Sequence, residues 1–273
     1  TCPSHNISVS MIISLAVGAV AVTCTFLYAS WRDLQERRVP FPTWYPMLAV
    51  TIPMATWFYL SLLAGGMWLL IAYFLVLTSV FSLIFYLFAY INLFGGADAW
   101  ALIFLCISIP AFPIEPLAGI PPMGFFPFTV LVNSLILNLL TPLAIFSWNA
   151  AHGRLGPFPY SFLGFPVPAE DLPRTFGFIM EEIGINEDGS VNRRFIRLGE
   201  AIRRMVSGKG RIYTRDLKNN PSEYAREMEA FKKAGTVWIS YGIPFLVPLT
   251  AGVISALVFG DILFALVVFA AGV

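Results

Sequence analysis

Charged side chains are scarce in this chain. Only 12% of the 273 residues are Asp, Glu, Lys or Arg, whereas 58% are hydrophobic. Lys and Arg are absent from 39–153 and from 234–273; three lie in 32–38 and fourteen in 154–233. Such long uncharged stretches exclude an ordinary water-soluble globular protein, because the polar residues could not cover its surface.

Cysteine and histidine are also rare. The three cysteines, Cys2, Cys24 and Cys106, lie far apart, and the two histidines are His5 and His152. This spacing gives no disulfide framework and no zinc-binding motif, so we expect no metal ion and no cofactor. The net charge of +1 gives no reason to expect nucleic acid as a partner.

The first apolar run lacks a preceding basic segment, which favours a retained membrane helix over a cleaved signal.

Six apolar runs are long enough, or nearly so, to cross a bilayer core of about 30 Å. They cover 9–31, 42–63, 67–91, 97–114, 125–148 and 237–260. Pro244 and Pro248 predict a kink in the last run. The expected fold is an all-α bundle of six transmembrane helices with a small mixed α/β insertion. The expected domains are 1–149 with five helices, the soluble insertion 150–235, and 236–273 with the sixth helix and the tail.

The insertion has its own local patterns. The apolar spacing in 191–206 predicts a helix, 222–233 is rich in helix formers, and 210–216 alternates like a strand. Basic loops of multi-pass proteins favour the cytoplasmic side, and both basic stretches fall on one side if six spans alternate. We therefore expect a multi-pass cell-membrane protein whose N-terminus lies outside and whose insertion is cytosolic.

Two carboxylates are predicted to share one membrane depth. Asp33 ends the first run and Asp98 begins the fourth, both at the cytosolic face, whereas Glu115 and Asp261 fall on the outer side. Two carboxyls that approach each other in a poorly solvated site share one proton, which is the arrangement that hydrolyses peptides without a metal. The alternative interpretations are structural: an N-terminal cap for Asp98 and a solvated interfacial charge for Asp33.

The segment before the fourth run is glycine-rich. In Phe94-Gly95-Gly96-Ala97-Asp98 the small residues leave space for another backbone beside the carboxylate. A peptide bond in a membrane helix is protected, so a protease must unwind its substrate and give the freed backbone groups new partners.

These motifs resemble those of the type IV prepilin peptidase and archaeal preflagellin peptidase family, which are GxGD-type intramembrane aspartyl proteases. The shared features are Gly95-Gly96-Ala97-Asp98 opening a membrane helix and Asp33 preceding Arg38-Val39-Pro40. The resemblance implies six membrane helices and an aspartic endopeptidase with catalytic Asp33 and Asp98 at the cytosolic face. It further implies a preflagellin or pilin-like precursor as substrate, cut after a short basic leader. From the sequence, we expect Gly95, Gly96 and Ala97 to bind the substrate backbone, and either Glu36 or acids of the insertion to bind the basic leader.

The chain departs from the bacterial pattern in several places. Ala97 takes the third position of the glycine motif, and Phe41 follows Val39-Pro40 where bacterial members have Asn. Paired Cys-x-x-Cys motifs are absent, so methylation of the new N-terminus is not expected. The insertion before the last run and Gly242-Ile243-Pro244-Phe245 are similar to the archaeal preflagellin branch.

Two other functions use the same features. In a transporter, Asp33 and Asp98 would carry protons or bind a cation, and the prolines of the last run would form a broken helix. In a membrane anchor, both aspartates would be structural and the insertion would bind cytosolic partners. The anchor interpretation leaves the glycines unexplained.

Overall fold

The computed structural model describes residues 3–91, 95–186, 189–197, 199–200, 203, 212–240 and 244–272, with side chains from residue 9. The chain divides into two compact units. The first, which we call the membrane unit, comprises Thr1–Leu139 and Pro244–Val273, and the second, the insertion unit, comprises Leu140–Ile243.

The membrane unit is helical. Its elements are α1 (Pro3–Glu36), a 3-10 turn (Phe41–Trp44), α2 (Tyr45–Ala64), α3 (Trp68–Tyr90), α4 (Gly96–Ser108), α5 (Phe126–Leu139), α10 (Leu246–Val258) and α11 (Ile262–Ala271). Among the described residues, four helical segments are long and apolar enough to cross a membrane, at Val9–Glu36, Phe41–Ala64, Trp68–Tyr90 and Phe126–Ala151, the last of which comprises α5 and the following helix Thr141–Ala151. The bent pair α10 and α11 makes a fifth if it counts as one span. The chain is thus a mostly helical, multi-pass membrane protein.

The fourth predicted run forms a shorter helix than expected. Helix α4 ends at Ser108, whereas the apolar run continues to Ile114. Pro110 and Pro113 follow within five residues, and a proline cannot continue the helical hydrogen-bond ladder. The helix is nevertheless deeply packed, with Leu102, Leu105 and Cys106 fully buried. Six spans require that α4 and the bent pair be counted, so six remains a prediction.

Interhelical hydrogen bonds between hydroxyl groups supplement the apolar packing. The Ser108 hydroxyl donates to Oγ1 of Thr51 across α4 and α2 at 2.8 Å, and both side chains are buried. Such bonds hold membrane helices together where lipid gives no hydrophobic driving force between them.

The last helix pair bends where glycine, not proline, requires it. Helices α10 and α11 differ in direction by 53°. Between them Gly260 has φ +85°, and Asp261 caps α11 by accepting a hydrogen bond from the Phe264 N–H at 2.9 Å. Pro248 is the third residue of α10, in the first turn, where no intrahelical N–H is needed. The predicted kink therefore lies about twelve residues after this proline.

The insertion unit is a small mixed α/β domain. It contains α6 (Thr141–Ala151), α7 (Tyr160–Leu163), β1 (Phe165–Pro168), a 3-10 helix (Ala169–Arg174), β2 (Phe178–Ile179), β3 (Glu181–Ile185), β4 (Val191–Phe195), α8 (Thr214–Asn219), α9 (Ala225–Ala234) and β5 (Thr236–Ser240). One antiparallel sheet has the order β1-β5-β2, and β3 pairs with β4 in a second. Leu172, Val237, Ile239 and Phe231 belong to its core.

Three local predictions differ from the structure here. In the predicted helix over 191–206, residues 191–195 form strand β4, because pairing with β3 sets Arg193 against the buried carboxylate of Glu181. Residues 199, 200 and 203 are helical, and 198, 201–202 and 204–206 lie outside the described residues. In the predicted strand over 210–216, Tyr213 forms a β-bridge with Phe178, residues 214–216 open helix α8, and 210–211 lie outside the described residues. The last apolar run was expected to begin near Val237, yet 236–240 form β5 and α10 begins at Leu246. The predicted helix over 222–233 is confirmed as α9.

Candidate active site

Asp33 lies in the last turn of α1. Its side chain is half-buried, and its backbone carbonyl accepts a hydrogen bond from the Arg37 N–H at 3.0 Å. Arg37 has φ +54°, the left-handed conformation that ends the helix. Pro40 then continues in an extended conformation into the 3-10 turn before α2. The sequence thus ends the helix one turn after the carboxylate.

Asp98 lies in the first turn of α4 but does not cap it. The N-cap residue is Gly95, so Asp98 is the third helical residue. A carboxylate in this turn complements the positive end of the helix dipole. Its Oδ1 is buried and has no hydrogen-bond partner among the residues that the structure describes. The capping interpretation of Asp98 is therefore wrong, and the carboxyl group keeps an unused acceptor.

The two glycines beside Asp98 differ in their surroundings. A Cβ atom added to Gly95 would lie 2.7 Å from Oδ2 of Asp98, closer than a Cβ atom comes to its non-bonded neighbours in folded proteins. A Cβ atom on Gly96 would meet none of the residues that the structure describes within 4 Å. The space at Gly95 is thus filled by the carboxylate itself, whereas no described residue fills the space at Gly96.

The first turn of α10 connects the elements that carry both aspartates. The Ser30 hydroxyl on α1 lies 2.9 Å from the Leu246 carbonyl and 2.7 Å from Oγ1 of Thr250. The backbone N–H of Leu246 lies near the carboxyl of Asp98. Leu246 thus faces α1 through its carbonyl and α4 through its backbone N–H.

Electrostatic repulsion couples the carboxyl groups of Asp33 and Asp98, although 65 positions separate the two residues. Burial weakens the screening of this repulsion by water. Two carboxyls that repel each other in a poorly solvated site do not readily ionise together. A charged carboxylate beside a neutral carboxyl offers a base and an acid at one place.

The remaining predicted site residues have more ordinary surroundings. Ala97 is partly buried and packs against the core of the membrane unit. The exposed Glu36 carboxylate forms an ion pair with Arg32, one turn earlier on α1. Phe94, Gly242 and Ile243, which the motifs also include, lie outside the described residues. In the described part of the chain, no three His, Cys, Asp or Glu side chains group closely enough to hold a metal ion.

Sequence reasoning missed the contribution of α10. Ser30 and Thr250 are hydroxyl side chains within apolar runs, a signal for interhelical hydrogen bonding. Since the two residues are 220 positions apart, no local pattern pairs them. The role of Leu246 depends on its backbone alone, and no side-chain pattern indicates it.

Comparison with known proteins adds to this geometry. Residues 20–143 match the type IV leader peptidase family, and residues 156–262 match the type II C-terminal region of archaeal A24 peptidases. The chain belongs to this leader peptidase family. The preflagellin peptidase of Methanococcus voltae is 25% identical over 265 residues, which cover 91% of this chain and 96% of that protein.

The leader peptidase family match extends over both units. Its first part includes Asp33, Gly95 and Asp98, and its second part includes most of the insertion unit and α10. The chain is therefore a multi-pass membrane leader peptidase, and most of its insertion unit matches the C-terminal region of the archaeal form of the family.

Proposed function

We propose that this leader peptidase is an intramembrane aspartyl protease in which Asp33 and Asp98 together activate a water molecule. The observation that carries the proposal is the electrostatic interaction between the carboxyls of Asp33 on α1 and Asp98 on α4, the second of which has a buried oxygen with no hydrogen-bond partner in the described part of the chain. An acidic residue in a membrane helix costs free energy, so such residues are rare and usually have a function. A peptidase family also favours cleavage over the transport that the same carboxylates would otherwise suggest.

In the proposed reaction, the ionised carboxylate takes a proton from water while the water oxygen attacks the scissile carbonyl carbon. The neutral carboxyl donates its hydrogen bond to the carbonyl oxygen, where negative charge develops. The tetrahedral intermediate then breaks the C–N bond, and the amine leaves with a proton from an aspartic acid group. The pair of carboxyls ends with the single proton with which it began.

The proposed substrate is a preflagellin or pilin-like precursor whose short basic leader is removed next to its hydrophobic segment. The matched preflagellin peptidase supports this substrate class. The open space at Gly96 and the small Ala97 would admit the extended backbone of the scissile segment. Glu36 is an exposed carboxylate that could bind a basic leader residue in exchange for Arg32.

We further propose six membrane spans with the N-terminus outside and the aspartates at the cytosolic face. The four long apolar helices, the short helix α4 and the bent pair of α10 and α11 supply six crossings. With that number, the basic residues of 32–38 and those of the insertion lie on the same side, as the positive-inside rule requires.

Cleavage of a preflagellin-like precursor by the purified protein in detergent tests this function. We expect Asp33→Asn and Asp98→Asn each to lower the cleavage rate by about 10³-fold or more, because each removes one member of the acid–base pair. Circular dichroism and the thermal unfolding midpoint should stay close to those of the wild type. Glu115→Gln is the matched control, since Glu115 is an exposed acid of the same unit. Normal cleavage by either Asn variant would overturn the proposal.

A further inference from the structure

A cavity of about 480 Å³ lies beside the end of α1 that leads into the basic segment 32–38. Its walls come from α1, from the chain that enters the 3-10 turn, from that turn itself and from the start of α2. The volume falls within the range of about 300–1,000 Å³ that is typical of ligand pockets. The cavity belongs entirely to the membrane unit and is lined by none of the residues assigned to the candidate active site.

The polar groups of this cavity suit an anion. Of the described residues that line it, Arg32 alone is charged, and its guanidinium bonds to Glu36 and, at 3.3 Å, to the Tyr28 hydroxyl. Because the hydroxyl of Tyr28 accepts that bond, its own hydrogen stays available to a ligand. The hydroxyls of Thr25 and Thr43 also belong to lining residues, and neither has a hydrogen-bond partner in the described part of the chain.

The ion pair with Glu36 leaves donors on Arg32. The two side chains are 26% and 52% exposed, and an exposed pair of this kind contributes little free energy. A guanidinium has five N–H donors, and the bonds to Glu36 and Tyr28 engage one hydrogen each on Nη2 and Nη1. The remaining donors lie in one plane, which is the geometry that binds phosphate oxygens.

An apolar groove of about 320 Å³ adjoins the cavity at Cys24, which lines both. Ala16 and Val20 line the groove from α1, and Ile114 and Leu257 line it from the loop after α4 and from α10. Ala16, Val20 and Cys24 follow one another at a spacing of four residues, so they lie along one side of α1. The groove therefore extends from the polar cavity toward the middle of the helix, as an acyl chain extends from its head group.

We infer that the cavity and the groove together bind one anionic phospholipid, with its phosphate at Arg32 and Tyr28 and an acyl chain along α1 past Cys24. Arg32 lies where the apolar run of α1 ends, which is the depth of lipid head groups, and basic pockets between membrane helices bind anionic head groups. A basic peptide leader is disfavoured as the occupant, because Arg32 would repel it inside the cavity. The inference does not depend on the peptidase reaction.

The test measures the binding of phosphatidylglycerol to the full-length protein in detergent, by titration and by native mass spectrometry. We expect one retained lipid per chain. Arg32→Gln should raise Kd by about five- to tenfold, because it removes the cation, and Tyr28→Phe by about threefold, because it removes one donor. Cys24→Trp fills the junction of cavity and groove and should also weaken binding. Arg38→Gln, at an exposed arginine of the same segment, is the matched control and should change Kd by less than about twofold.

Four results would overturn the inference. An equal loss in Arg38→Gln would mean diffuse attraction, and equal affinity for phosphatidylcholine would mean that the acyl chains alone decide binding. Competition by inorganic phosphate at the lipid's own concentration would assign the cavity to a soluble anion. Displacement of the lipid by one equivalent of precursor would assign the groove to the substrate's hydrophobic segment.

Two controls keep these results interpretable. Thermal unfolding midpoints close to that of the wild type show that the variants are folded, and Tyr28→Phe carries the test if Arg32→Gln does not fold. Asp98→Asn, which should abolish cleavage, should still retain the lipid. Failure of the proposed function is thereby distinguished from failure of this inference.

Discussion

The membrane unit and the insertion unit use charged residues in opposite ways. In the membrane unit, eight Asp, Glu and Arg residues occur over its two segments; besides the exposed Arg32–Glu36 ion pair, they include two acids, Asp33 and Asp98, that act on each other electrostatically. In the insertion unit, opposite charges pair: Arg194 bonds to Glu182 and Glu200, and Lys233 to Glu229. Two acids that repel each other indicate a catalytic or binding site, whereas pairs of opposite charge contribute to stability or solubility.

The insertion unit also contains a buried carboxylate, and this one is fully paired. Glu181 is 4% exposed, yet its carboxylate accepts hydrogen bonds from Arg193 at 2.9 Å and from the Trp238 N–H at 3.4 Å. The Arg193 guanidinium also donates to the Thr236 carbonyl at 2.9 Å, so one side chain ties β4 to β3 and β5. A buried carboxylate with such partners needs no catalytic explanation.

The largest effect on folding should come from breaking that pair. Arg193→Met leaves the Glu181 carboxylate buried without its cation and should lower the free energy of unfolding of the insertion unit by about 2 kcal/mol, less than for a fully buried pair because Arg193 is partly exposed. Hydrogen exchange of the β3 and β5 amides in the full-length protein measures the change. The neighbouring Arg194→Met, whose ion pairs are exposed, should change it by less than about 0.5 kcal/mol.

A second substitution tests the cause of the loss. In Glu181→Gln with Arg193→Met, no charge remains buried, and we expect part of the lost protection to return. Faster exchange in Arg194→Met than in Arg193→Met would contradict the distinction between buried and exposed pairs.

A smaller effect, on activity rather than folding, should come from the glycines of the membrane unit. Gly95→Ala forces the Asp98 carboxylate to move away from the new methyl group and should lower kcat/KM for precursor cleavage by about tenfold, since catalysis depends on geometry at this scale. Gly96→Ala, with open space around it, should change kcat/KM by less than about twofold if the substrate tolerates a methyl group there. The same loss in both variants would mean that helix propensity, not contact with Asp98, sets the effect.

Much of the fold could be predicted from composition and charge. Long apolar runs and two basic stretches predict a multi-pass membrane protein with one soluble insertion, because lipid and water select side chains strongly. Asp33 and Asp98 could be chosen since so few acids lie outside the insertion. The resemblance of Gly95-Gly96-Ala97-Asp98 to a family motif added the peptidase chemistry, and the family match confirms it at the level of leader peptidases.

The features that sequence missed depend on tertiary context. The helical apolar spacing predicted over 191–206 begins in strand β4, where pairing with β3 overrides it at 191–195. The bend before α11 lies at Gly260, where contacts with the 116–119 loop leave no room for a side chain, rather than at the prolines. Leu246 contributes its backbone N–H, which no side-chain pattern can indicate. This group becomes part of the site only when α10 packs beside α1 and α4.

The approach of Asp33 and Asp98 can be measured directly by thiol cross-linking. In a chain with Cys2, Cys24 and Cys106 replaced by Ser or Ala, the substitutions Asp33→Cys and Asp98→Cys place one thiol at each position. We predict that a short bifunctional thiol reagent links them within one folded chain, whereas Asp33→Cys combined with Glu115→Cys gives no link. If both thiols of the first pair react with a monofunctional reagent but are never linked, the two aspartates do not form one site.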